Sequence, residues 1–145
     1  MSRPGFLKRL RHDQAGVAAL EFGLLAPILI IMLLGTFQIG LGMQNYNALR
    51  SVSADIARVA MTNYQNANCS TDEWLEDRGQ TIATAAPYNL VDARLTVNVS
   101  AVSPSTVAGT TQKTITLQYT VPSMLGMAGM DDIALTYTRQ VFLLS

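Results

Sequence analysis

An uncharged run of 21 residues, from Phe22 to Gly42, constrains this chain more than any other feature of its sequence. As an α-helix with a rise of about 1.5 Å per residue, the run would span roughly 30 Å, the thickness of the hydrocarbon core of a bilayer. Glu21 lies at the mouth of the run, where an unpaired carboxylate is costly. The run therefore predicts a membrane-spanning helix, and Glu21 predicts a partner for its carboxylate.

The basic residues are concentrated before this run, although the chain as a whole has ten basic and ten acidic residues. The first sixteen residues carry four basic side chains and one acidic one, a net charge of +3, from Arg3, Lys8, Arg9, Arg11 and Asp13. Basic residues beside a span favour the cytoplasmic side. The pattern predicts a cytoplasmic amino terminus and a carboxyl terminus on the other side of the membrane. It gives no indication of a nucleic-acid partner.

The length of 145 residues leaves room for one membrane element and at most one small domain. Residues that could carry catalysis are scarce, because His12 and Cys69 are the only histidine and the only cysteine. Cys69 has no second cysteine in the chain for a disulfide, and no phosphate-binding loop or metal-ligand motif is present. We therefore expect a protein that is not an enzyme and that needs no cofactor or metal.

Beyond the apolar run, apolar residues recur every three or four positions with charged residues between them, which is typical of an amphipathic helix. These apolar residues are Leu49, Val52, Ile56 and Val59. The spacing predicts that the membrane helix continues to about Tyr64. Ser70 followed by Glu73 is a capping-box pattern and predicts a second helix as far as about Ala85. Gly79 lies inside this predicted helix and is unfavourable for its continuity.

The last third of the chain alternates apolar and polar residues, as half-buried β-strands do. Three runs share this pattern, with apolar members Leu95, Val97, Val99 and Ala101, then Ile115, Leu117, Tyr119 and Val121, then Leu135, Tyr137, Val141 and Leu143. Arg139 falls at an apolar phase of the third run, which suggests a bulge or an edge strand. The predicted fold is α+β: a long amino-terminal helix, spanning the membrane and continuing into a stalk, carries a second helix and a three-stranded antiparallel sheet.

Three methionines, Met124, Met127 and Met130, lie within seven residues between the second and third strands. Methionine adapts to irregular apolar surfaces, so this segment is a candidate contact for another protein. The alternative is that the methionines close the open end of a small core.

The residues around the start of the apolar run carry a family resemblance. They read Gly16-Val17-Ala18-Ala19-Leu20-Glu21-Phe22 after a short basic leader. This arrangement resembles a type IV prepilin, in which cleavage after a glycine leaves a glutamate as the fifth residue of the mature chain. The Glu21-Phe22 pair and Pro27, eleven residues into the mature helix, more narrowly resemble the TadE-like minor pseudopilins of tight-adherence (Flp-type) pili. An uncleaved signal anchor is the alternative.

The resemblance implies a bacterial inner-membrane protein that a prepilin peptidase cuts between Gly16 and Val17, and that joins other pilin subunits and the pilus assembly machinery. Three segments follow: a cytoplasmic leader (residues 1–16), a membrane helix and stalk (17–65) and a small extracytoplasmic domain (66–145). Because many type IV pilins begin with phenylalanine, N-methylation is not carried over to Val17. The competing hypothesis is an uncleaved bitopic membrane protein whose outward-facing domain binds a ligand.

Two physical expectations accompany the resemblance. After cleavage the amine of Val17 and the carboxylate of Glu21 lie four residues apart on one helix face, so they can pair within a subunit or between neighbours. We expect such a pair to set the register of assembly. Pro27 cannot donate a backbone hydrogen bond and crowds the carbonyl of Gly23, which predicts a kink.

Overall fold

The computed structural model of the protein describes residues 14–65, 71–126 and 129–144. It confirms the predicted fold class of a long amino-terminal helix, a second helix and a three-stranded antiparallel sheet. The elements in order are α1 (Gln14–Gln65), α2 (Asp72–Thr84), a short 3-10 turn (Asp92–Arg94), β1 (Leu95–Val102), β2 (Thr110–Val121) and β3 (Ile133–Leu144).

The chain divides into two compact units, and the division falls within α1, between Phe37 and Gln38. The first unit contains α1 up to Phe37, and the second contains the rest of α1, α2 and the sheet. The predicted boundaries at residues 16 and 65 concern processing and membrane topology, and they stay predictions.

In the first unit, α1 is apolar and almost entirely unburied. Its large side chains are exposed from Val17 through Leu33, and none of its most apolar 18-residue window is buried. By length and composition, α1 is long and apolar enough to cross a membrane. The hydroxyl of Thr36 has a hydrogen-bond partner within the helix, because it donates a 2.9 Å bond to the carbonyl of Met32.

The sheet is an antiparallel meander in the order β1-β2-β3. Leu95 pairs with Tyr119 across β1 and β2, and Ile115 pairs with Arg139 across β2 and β3. The pairing of β2 with β3 is continuous from Thr110 to Val121, so Arg139 does not lie in a bulge. The edge alternative holds, because β3 is an outer strand.

Arg139 is accommodated by α1. Its Nε donates a 3.2 Å hydrogen bond to the hydroxyl of Ser53, a fully buried residue whose hydroxyl in turn donates to the carbonyl of Arg50. A half-buried cation on the apolar face of a sheet therefore has a polar neighbour on the covering helix, which limits the cost of its burial.

One core joins the second half of α1, α2 and one face of the sheet. Its buried members are Leu49, Val52, Ile56, Ala57 and Ala60 of α1, Leu75 and Ala83 of α2, and Leu95, Val97, Val99, Ile115, Leu117, Tyr119, Val121, Val141 and Leu143 of the strands, with Leu90 before the 3-10 turn. The amphipathic stretch of α1 is therefore covered by the chain's own sheet, as its periodicity indicates.

The second helix begins one residue later than predicted. The hydroxyl of Thr71 caps it by accepting a 3.2 Å hydrogen bond from the amide of Trp74, and Ser70, the predicted cap, lies outside the described residues. The helix continues unbroken through Gly79, and this residue is a point of close packing. A Cβ placed there would lie 2.7 Å from Cδ1 of Ile56 and 3.0 Å from Cγ1 of Val97.

Side chains of α2 also satisfy the backbone of β1, which is an outer strand. The carboxylate of Glu76 accepts a 2.7 Å hydrogen bond from the amide of Val99, and Nε2 of Gln80 donates to the carbonyl of Leu95 at 3.3 Å. These bonds cover part of a strand edge that could otherwise pair with another chain. At the start of α2, the ammonium of Lys113 lies 2.7 Å from the carboxylate of Asp72.

Candidate functional site

The predicted processing site lies at the beginning of α1. Gly16 and Val17 are exposed and are the third and fourth residues of the helix. A Cβ added to Gly16 would meet no atom within 4 Å, in contrast to the crowded Cβ position of Gly79. Glycine is less favourable than alanine within a helix. Among the described residues, the fold therefore gives no packing reason for a glycine at position 16.

Glu21 follows Val17 by four residues, the spacing of neighbours on one helix face. Both side chains are exposed, and the Glu21 carboxylate has no hydrogen bond or ion pair among the residues that the structure describes. Phe22 is exposed beside it. The first three turns of α1 thus carry Gly16, Val17, Glu21 and Phe22 in positions that the other described residues leave uncovered.

Pro27 lies inside α1, which continues through it without interruption. The carbonyl of Gly23, four residues earlier, cannot receive a backbone hydrogen bond from Pro27. A Cβ at Gly23 would also meet nothing within 4 Å. The kink at Pro27 stays a prediction.

The methionine segment lies in the second unit. Met124 and Met130 are 47% and 52% exposed, whereas Leu125 is 6% exposed. Leu125 thus buries its side chain and the two methionines do not, so they are not core-filling residues. Met127 lies outside the described residues. The predicted role of these methionines as a contact for a partner stays a prediction.

One functional candidate, Gln38, was not identified by the sequence analysis. It is only 6% exposed, although it stands among large apolar side chains that are exposed. Its Oε1 accepts a 2.8 Å hydrogen bond from the amide of Met124, and its Nε2 donates to the carbonyl of Pro122 at 3.3 Å. An amide side chain near the end of an otherwise apolar run was the available signal.

Elsewhere, the surroundings of Tyr88 perturb its titration. The hydroxyl of Tyr88 donates a 2.8 Å hydrogen bond to the carboxylate of Asp55. This bond, with partial burial and the negative charge of Asp55, raises the pKa of Tyr88, and the positive charge of Arg58 opposes the shift. The contact ties the segment after α2 to α1. Among the described residues, no group of three or more His, Cys, Asp or Glu side chains could hold a metal ion.

Comparison with known proteins addresses the amino-terminal part of the chain. The family model described as TadE-like protein matches residues 16–58. The match begins at Gly16 and contains Val17, Glu21, Phe22, Pro27 and Gln38. No curated protein and no solved structure matches the chain. The predicted resemblance is thus confirmed: over residues 16–58 this chain is similar to TadE-like proteins.

Proposed function

We propose that the protein is a minor pilin or pseudopilin, cleaved by a prepilin peptidase and used in the assembly of an adhesive Tad (Flp-type) pilus. One observation carries the proposal: within the TadE-like match, the beginning of α1 presents an uncovered apolar surface with a glycine and a carboxylate that the fold does not use. A membrane first, and neighbouring subunits afterwards, would cover such a surface.

Cleavage would create a positive charge that can pair with the carboxylate of Glu21. Hydrolysis of the Gly16–Val17 peptide bond consumes one water, leaves a carboxylate on Gly16 in the released leader, and gives Val17 a free amine that is protonated near neutral pH. Because Val17 and Glu21 share an exposed helix face, the new ammonium can approach its own carboxylate or that of a neighbouring subunit. Pairing between subunits would fix their register.

The charge distribution supports one orientation in the membrane. The +3 charge of residues 1–16 favours the cytoplasm, so the unit that begins at Gln38 would lie outside the inner membrane. There it could meet other pilin subunits and the assembly machinery. In this proposal the protein is a structural component and a peptidase substrate, and it is not itself an enzyme.

The mature amino terminus tests the proposal. Intact mass and amino-terminal sequencing of the protein from cells with a prepilin peptidase should give a chain that begins at Val17. The chain from cells without the peptidase should retain its leader. Gly16→Leu should block the cut by filling the space in which the peptidase approaches the backbone. Gly23→Leu is the matched control, because Gly23 lies in the same helix and also has open space at its Cβ position. A fully functional protein that still begins at Met1 would instead support the uncleaved bitopic protein.

A further inference from the structure

The described residues between β2 and β3 include two methionines that are exposed to solvent. We call the described residues 122–126 and 129–132 the Met loop. Its internal hydrogen bonds run from the amide of Gly129 to the carbonyl of Gly126 (3.0 Å), from the amide of Met130 to the carbonyl of Leu125 (3.3 Å), and from the amide of Ser123 to the carboxylate of Asp132 (2.8 Å). With Leu125 buried and Met124 and Met130 exposed, the Met loop presents apolar surface.

Gln38 fixes the position of the Met loop along α1. The two hydrogen bonds of its side chain hold Pro122 and Met124 beside this residue. A span of 21 residues that begins at Val17 ends at Phe37, and one that begins at Phe22 ends at Gly42. In either register, Gln38 lies within about 6 Å of the outer end of the span, at about 1.5 Å per residue. When α1 crosses a membrane, the residue that holds Pro122 and Met124 is therefore close to the outer end of the span.

We propose that the Met loop is a second membrane contact, which inserts Met124 and Met130 into the boundary between headgroups and acyl chains on the side of the carboxyl-terminal unit. Flexible thioether side chains suit this irregular boundary, and apolar surfaces that lie on membranes reach it to a depth of about 5–10 Å. On α1, Ile39 and Met43 are exposed and close to Gln38 in sequence. The proposal depends on the membrane span and is independent of processing at Gly16.

The charge of the Met loop indicates the kind of lipid that it accepts. Asp131 and Asp132 are exposed, and Asp132 also accepts the hydrogen bond from Ser123. Carboxylates beside the inserting methionines are repelled by anionic headgroups. The fitting partner is a surface of mainly zwitterionic lipid, and contact should weaken as the anionic fraction rises at low salt.

Depth-dependent quenching tests this contact in the full-length chain. The labelling uses four single-cysteine variants in a Cys69→Ser background: Met124→Cys, Met130→Cys and two reference variants. Each variant carries a small fluorophore on its cysteine. The protein is placed in zwitterionic vesicles that contain a lipid with a nitroxide near its headgroup. Leu29→Cys, on an exposed position of the span, is the inserted reference. Val107→Cys is the aqueous reference, because it is exposed in the loop between β1 and β2, at the opposite end of the 12-residue β2 from the Met loop.

We expect the lipid nitroxide to quench the labels at Met124 and Met130 at least about twofold more than the label at Val107, and aqueous iodide to show the reverse order. Equal lipid quenching at Met130 and Val107, with Leu29 quenched, would overturn the Met loop contact alone. An unquenched Leu29 would overturn the span as well. Quenching at Met130 that disappears when the protein is diluted in excess lipid would assign the Met loop to a second protein and overturn the lipid contact.

Gln38→Leu provides the second variant. It keeps an apolar side chain in α1 but removes both hydrogen bonds to the Met loop, so lipid quenching at Met130 should fall toward the value at Val107 while Leu29 is unchanged. An unchanged fluorescence spectrum of Trp74, the only tryptophan, shows that the second unit remains folded. Undiminished quenching at Met130 in this variant would overturn the positioning role of Gln38.

Discussion

Gly79 provides a sharp test of the packing of the second unit, because two opposing effects act at this position. Replacing glycine by alanine inside a helix is favourable by about 1 kcal/mol when the new methyl group has room. Here the methyl group would lie 2.7 Å from Cδ1 of Ile56 and 3.0 Å from Cγ1 of Val97. Carbon atoms in contact prefer about 3.5–4.0 Å, so Ile56 would have to move by roughly 1 Å.

The packing effect should exceed the helix-propensity effect. Ile56 is buried and cannot swing into solvent, and overpacking a core typically costs about 1–3 kcal/mol. Subtracting the gain of about 1 kcal/mol in helix propensity leaves an expected loss of about 0–2 kcal/mol for Gly79→Ala. Ile56→Val removes the Cδ1 methyl group that is closest to the new side chain. It should cost about 0.5–1.5 kcal/mol alone.

The double variant distinguishes this contact from a general effect of either substitution. With Cδ1 of Ile56 absent, the alanine methyl group can occupy the vacated space. The double variant should therefore be about 1–2 kcal/mol more stable than the sum of the two single losses predicts. This difference is within the range observed for residues in contact. The assay is urea unfolding of the full chain in detergent micelles, followed by Trp74 fluorescence. The stability difference between Arg78→Ala and Arg78→Gly, at an exposed position of α2, supplies the propensity term for this helix. If the single losses add to within about 0.5 kcal/mol, the close approach at Gly79 is refuted.

Three further predictions concern charged and titratable groups. Glu21→Ala should insert into the membrane normally but fail to co-purify with sheared pili at equal membrane abundance, and Glu21→Asp should be intermediate. The reason is that Glu21→Ala leaves a neighbour's ammonium without its partner, at a cost of about 3–5 kcal/mol if the pair is buried. Normal pili from Glu21→Ala would contradict the pairing. Because the folded pKa of Tyr88 is raised above 10.0, its contribution to stability is complete below pH 10 and is lost as the pH rises through that folded value. Urea unfolding between pH 8 and pH 11 should therefore show a steeper alkaline loss for the wild type than for Tyr88→Phe, and parallel curves would contradict the contact. Lys113→Met should lower the free energy of unfolding by about 1 kcal/mol, because it removes the ion pair with the partly exposed Asp72. The difference between variant and wild type should shrink in 1 M NaCl. An unchanged midpoint of urea unfolding in low salt would contradict this prediction.

The elements that could be predicted from the sequence are those with a local signature. The period of two in β1, β2 and β3 and the spacing of three and four in the second half of α1 reflect side-chain directions that the backbone imposes within each element. Leu49, Val52 and Ile56 are buried and Arg58 is exposed, as that spacing requires. The apolar run before them could equally be identified from the sequence, since a candidate membrane span is recognised by its length and hydrophobicity.

The features that could not be predicted depend on contacts between distant parts of the chain. Gln38 and Met124 are 86 positions apart in the sequence, and Lys113 and Asp72 are 41 apart, so no local pattern pairs them. Gly79 illustrates the same limit, because its sequence context indicates only a weak point in a helix. Its close approach to Ile56 and Val97 exists only after α1, α2 and β1 have packed together.

Gly79 and Gly16 differ in the space around their Cβ positions: packing leaves no room for a side chain at Gly79, whereas Gly16 has open space. In the second unit the core is closed, and among the described residues no buried side-chain nitrogen or oxygen lacks a hydrogen-bond partner. In the first unit the large side chains are unburied, Gly16 and Gly23 have open space around them, and Glu21 has no partner among the described residues. A side chain that stabilises the folded chain makes contacts in the structure, and among the described residues no packing contact requires Gly16 or Gly23 and no hydrogen bond or ion pair involves Glu21. In the function we propose, lipid covers the apolar surface of the first unit, a peptidase acts at Gly16, and a positively charged amino terminus pairs with Glu21.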